Sequence, residues 1–167
     1  MYEFNVFVKH SKNFSLQGFK EYCLLMRLDI ALHPSFELEK WDGGFLPARF
    51  IDSRFKCCQK DFDFLTGFEL YFEKCDYSVG QLPDGWDYPH MVALRCSMAD
   101  SFEVLMAYVL GAYLVKTCEG VFLDPQSGAF SEDYRELEAA ICEIMTELID
   151  FSKNGELRTH CFKGWED

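Results

Sequence analysis

The chain has 167 residues, 49% of them hydrophobic and 17% aromatic, with a formal net charge of -12. That apolar content excludes a disordered chain, and the negative charge opposes binding to nucleic-acid phosphates. The length suits one domain over 1–167, large enough to bury about 70% of its unfolded surface.

Eight cysteines are spread along the chain with no C-x-x-C pair, and the opening MYEFNVFVKH alternates in polarity. A structural zinc or a secretory leader would show a different pattern, so reduced thiols and a cytoplasmic location are expected. Cys23 and Cys142 fall where helices would bury a small apolar residue.

In chain order, Tyr2 to Lys9 alternates and reads as a strand with Tyr2, Phe4, Val6 and Val8 inward. Ser15 caps a helix to about Leu28, with Phe19, Cys23 and Met26 as its inner stripe. Phe36–Lys40 and Phe45–Ile51 read as a hairpin about the Asp42-Gly43-Gly44 turn, with Pro47 marking an edge or a bulge. Asp52 to Leu65 mixes charge with phenylalanine and reads as an exposed loop. Gly67–Cys75 and Met91–Met98 are strands, and Tyr77–Pro89 is a loop with Trp86 at its tip.

The stretch from Asp100 to Phe130 carries the centre of the core. Asp100 and Glu103 form a capping pair for a helix that is apolar nearly all round, hence buried. Its apolar run, Val104 to Val115, is far shorter than the roughly 20 residues a bilayer needs. Gly120 is the expected left-handed stop, followed by a short strand (Val121–Leu123) and an Asp124-Pro125 turn closed by Gly128. Ser131 then caps a helix from about Glu132 to Phe151, with the stripe Tyr134, Leu137, Ile141, Ile144, Leu148 and Phe151. The expected class is α+β: one domain, a mostly antiparallel or mixed sheet, and three main helices packed mainly on one face.

No constellation commits the chain to chemistry, and no cofactor or metal is expected. Asp61-x-Asp63 lacks the further oxygen ligands a hard cation needs. The histidines His10, His33, His90 and His160 make no i, i+4 pair. An enzyme reading would build a cysteine or carboxylate site from Cys57, Cys58, Asp61 or Glu69, the two thiols lying between Lys56 and Lys60. The last helix shows one acidic side, with Glu132, Glu136, Glu143, Glu147 and Asp150, and Arg135 is its lone base.

Three segments carry a resemblance: Trp41-Asp42-Gly43-Gly44-Phe45-Leu46-Pro47, Thr66-Gly67-Phe68-Glu69, and Glu119-Gly120-Val121-Phe122-Leu123-Asp124-Pro125-Gln126. Together they resemble segments of the immunity proteins encoded beside bacterial polymorphic toxins, such as those of contact-dependent growth inhibition. The resemblance implies a cytoplasmic α+β protein that binds and neutralises the C-terminal domain of its cognate toxin, with no catalytic residues. An acidic face suits a basic nuclease toxin, whose phosphate site it would occupy. The expected contacts are Glu132, Glu136, Glu143 and Glu147 on the helix, with Asp61, Asp63, Asp84, Trp86 and Asp87 on the two long loops. No nucleic-acid or membrane partner is expected. A small cytosolic enzyme and an adaptor or self-assembling protein, such as a homodimer, are the competing readings.

Overall fold

The computed structural model describes residues 1–55, 65–76 and 85–158. Among these, the elements run β1 (Tyr2–Val8), α1 (Leu16–Leu25), β2 (Asp29–Leu32), β3 (Gly44–Ile51), β4 (Leu65–Lys74), β5 (His90–Cys96), α2 (Glu103–Thr117), β6 (Val121–Asp124), β7 (Ala129–Ser131) and α3 (Tyr134–Asn154). The strands form one sheet in the order β2-β3-β4-β5-β1-β6-β7, and every pairing is antiparallel. The fold is α+β, as expected, and the sheet is antiparallel throughout.

The helices pack on one face of that sheet. Phe4, Val6 and Val8 of β1 join buried residues of α1, α2 and α3 in the main core. A second, smaller cluster of Phe7, Tyr88, Val121 and Leu123 contains no helix residue and lies on the opposite face. The alternation of β1 therefore predicts the inner face at Phe4, Val6 and Val8, while Tyr2 at its start is exposed, and it understates the outer face: Phe7 and Asn5 are buried as well. The cause is position, since β1 lies between β5 and β6 rather than at an edge.

The all-round apolar α2 has the burial its sequence requires, contacting α1, α3 and strands β1, β4, β5 and β6. Its start differs in detail from the expected capping pair. Asp100 Oδ1 accepts the Phe102 N–H at 2.7 Å, while the buried Glu103 carboxylate reaches back to the end of β5, accepting from Ser97 Oγ at 2.7 Å and Met98 N at 2.8 Å. At its other end the left-handed residue is Glu119 (φ 50), not Gly120. The Gly120 N–H still closes the stop by donating to Val115 O at 3.2 Å.

Other expectations shift by local chemistry. Ser15 does cap α1, accepting from Gly18 N at 3.0 Å, but the helix ends at Leu25 and Arg27 turns left-handed (φ 60). That turn delivers β2 at Asp29, so β2, not Phe36–Lys40, pairs with β3. Leu38–Lys40 is instead a 3-10 turn. Pro47 lies in an interior strand: its carbonyl accepts from His33 N just past the end of β2, where a missing donor interrupts no ladder. Phe55, expected in an exposed loop, is fully buried against Phe50 and Phe102.

The Asp124-Pro125 turn forms as read, with Asp124 accepting from Gln126 N, Ser127 Oγ and Gly128 N. It opens into a strand, β7, between Gly128 and the start of α3. Ser131 is not the cap of α3. Asp133 is, accepting from Arg135 N at 3.0 Å, and Ser131 Oγ donates to Glu136. Among the described residues, no helix is long and apolar enough to cross a membrane.

Candidate functional site

Helix α3 is placed by its apolar stripe. Leu137, Ile141, Met145 and Leu148 are buried and dock the helix on α2. Met145 takes the inward place expected for Ile144, which is half-buried, and Phe151 is 42% exposed. Gly155 (φ 71) ends the helix in the left-handed conformation.

With that stripe inward, Glu132, Glu136, Glu143 and Glu147 are all exposed. From Glu136 to Glu147 the row runs about 16 Å at the rise of an α-helix. Glu143 and Glu147 stand four residues apart as like charges, an arrangement that destabilises an isolated helix by about 0.2–0.5 kcal/mol. Neither makes a hydrogen bond or ion pair among the described residues. Nearby bases are engaged elsewhere: Arg135 binds Asp133 at 2.7 Å, and Lys153 binds Asp150 at 2.9 Å. Hydrogen bonds from Arg135 hold the Asp133 carboxyl below its ordinary range. The outer side of α3 therefore presents a run of negative charge.

Of the expected loop contacts, Asp61, Asp63 and Asp84 lie outside the described residues. Asp87 is exposed. Trp86 is not a free loop tip. Its ring packs edge-on to Tyr88 at 5.6 Å and to Phe130 of β7 at 5.2 Å. Phe130 is two residues before Glu132, so the Trp86 loop and the start of α3 meet at the β7 edge of the sheet. Phe130 itself escaped the sequence reading. The available signal was the alternation Gly-Ala-Phe-Ser just after a turn, too short to call a strand without the β6 partner.

Of the four residues of the competing cysteine or carboxylate site, Glu69 alone lies among the described residues. Cys57 and Cys58 lie outside the described residues. Cys23, Cys75, Cys96, Cys118 and Cys142 are free thiols. Burial pushes Cys23 and Cys96 up to about 12 and Cys75 up to about 11, the opposite of an activated thiolate. Cys142, expected inside, is exposed on α3.

Glu69 is half-buried on the helix-free face and accepts from Tyr71 OH at 3.1 Å. Beside it, Arg95 bonds Glu3 at 2.6 Å and lies over the Tyr71 ring at 4.8 Å. Glu69, Arg95, Ser97 and Glu103 line a recess of about 100 Å³, well below the roughly 300 Å³ at which small-molecule sites begin. Among the described residues, no group of three or more His, Cys, Asp or Glu is placed to hold a metal ion.

A larger cleft of about 420 Å³ separates the start of α2 from the end of α3. Met98, Val104, Leu148 and Phe151 give it apolar walls, and Arg158 closes one side. There Ser101 N donates to Arg158 O at 2.8 Å, and Arg158 N donates to Ser101 Oγ at 2.9 Å. No family model, curated protein or solved structure matches the chain.

Proposed function

We propose that this protein is a cytoplasmic immunity protein that binds the C-terminal domain of a cognate bacterial toxin and neutralises it by covering its substrate surface. The observation that carries this reading is the acidic row on α3, which is exposed, has no partner for Glu143 and Glu147 among the described residues, and ends beside the Trp86–Phe130 aromatic pair. Uncompensated like charge on a surface helix costs stability and steers association with a basic partner. A nuclease domain, whose active surface attracts phosphates, is a partner of that kind.

The test is to co-express the protein with the toxin domain encoded beside it and to measure protection and affinity. Tight binding with protection is the expected result. Reversing Glu136, Glu143 and Glu147 to lysine should weaken binding by more than about tenfold, with the larger part of the loss in the association rate. Unchanged protection by that triple variant, with its circular dichroism intact, would overturn the electrostatic mechanism. A neighbouring domain that is neither bound nor silenced would overturn the immunity reading itself.

A further inference from the structure

The geometry points to the free edge of β7 as the place where the partner adds an extended segment, alternating basic and apolar residues, as an eighth strand. This deepens the toxin-binding reading and rests on it for the partner's identity, though not for its chemistry.

Three observations converge there. First, β7 ends the sheet, and no strand among the described residues pairs with its outer side. Its residues Ala129, Phe130 and Ser131 include no lysine or proline, so the edge is blunted by its shortness and by the Ala129 N–H donating to Ser127 Oγ at 3.2 Å rather than by a charge or a missing donor. At the other edge, β2 packs against α1.

Second, the two faces beside that edge differ in kind. Phe130 pairs across from Leu123 on the helix-free face, is 41% exposed, and abuts Trp86. Ser131 pairs with Phe122 of the main core, and its hydroxyl donates to Glu136 at 2.7 Å, so the opposite face of β7 borders the acids of α3. Successive side chains of an added strand would point alternately to these two faces. One set would meet the Trp86–Phe130 pair and the other the Glu136 carboxylate.

Third, the sequence that builds the edge is mostly acidic. Between residues 121 and 138 the acids are Asp124, Glu132, Asp133, Glu136 and Glu138, and the sole base, Arg135, is held by Asp133. Backbone pairing supplies affinity in such strand addition, and the alternate side chains supply specificity. An alternating basic and apolar segment complements both faces.

The experiment uses the full chain and two probes. The first is a blocked hexapeptide alternating lysine and valine, with a glutamate–valine peptide as control. Saturable shifts of the Ala129, Phe130 and Ser131 amide resonances, with a change in Trp86 fluorescence, are expected for the lysine peptide only. Phe130→Lys, at an exposed position, should weaken that binding by about tenfold or more, and added salt should weaken it too.

The proposal is overturned if those amides do not move, if the shifts are confined to α3, or if Phe130→Lys abolishes a dimer seen without peptide. The second probe is the neighbouring toxin domain. If it binds wild type and Phe130→Lys equally, the edge proposal falls while the toxin reading stands. If it does not bind but the lysine peptide docks on β7, the toxin reading falls while the edge stands.

Discussion

Gly120 lies against the backbone carbonyl of Phe7: a Cβ added at Gly120 would sit 2.8 Å from that oxygen. The glycine is there to let the chain leaving α2 pass close to β1, while Glu119 supplies the left-handed turn. Gly120→Ala must push a central strand aside and should cost about 1–3 kcal/mol. Glu119→Gly relieves a left-handed non-glycine residue and should stabilise by about 0.5–1 kcal/mol. The lost His10 contact, at 3.8 Å between exposed groups, matters little. Urea denaturation of both variants checks the pair, and the opposite signs are the point: two destabilising results would mean that Glu119 is not strained.

Glu103 anchors the crossing from β5 into α2. Its side chain accepts from Met98 N, itself left-handed (φ 66), and from Ser97 Oγ. Removing the buried, charged acceptor of these two part-buried hydrogen bonds costs about 1.5–3 kcal/mol. Glu103→Ala should show that loss in its unfolding midpoint, and Glu103→Gln, which keeps one acceptor oxygen, should lose less.

Lys116, near the end of α2, lies over two aromatic rings: Tyr134 of α3 at 4.6 Å and Tyr22 of α1 at 5.2 Å. One cation thus ties three helices together. At exposed sites each contact is worth about 0.5–1 kcal/mol, so Lys116→Met, which keeps the stem, should lose about 1 kcal/mol. A double-mutant cycle with Tyr134→Leu reads the coupling directly; zero coupling would refute it.

Two buried thiols predict an alkaline weakness. Burial raises Cys23 and Cys96 from 9.0 in the unfolded chain to about 12 in the folded one. Above pH 9 the unfolded chain releases these protons while the folded chain keeps them, so stability falls as pH rises. The effect is absent below about pH 9 and complete above about pH 12, with a slope of about 1.4 kcal/mol per pH unit per thiol between. Denaturation at pH 8 and pH 10 should show it, and a Cys23→Ala, Cys96→Ala variant should have a shallower slope. Exposed Cys142 should react with a thiol reagent before Cys23 and Cys96.

Local pattern was enough for several elements. The stripe of α3, the all-apolar α2, the Ser15 cap and the Asp124-Pro125 turn each depend on residues within a few positions of one another. Charge followed the same logic: once the stripe of α3 faces inward, its acids must face water.

Tertiary structure decided which strand stands beside which. It placed β1 in the interior of the sheet, between β5 and β6, so that Phe7 is buried like Val6. It made Ala129–Ser131 a strand by pairing it with β6, and turned Leu38–Lys40 into a 3-10 turn because Asp29–Leu32 took the place beside β3. It also brought Trp86 onto Phe130, across more than forty residues of chain. Periodicity records which side of an element is apolar, because that depends on the element alone. Partner and register depend on every other strand competing for the same edge, and no local stretch of sequence contains that comparison.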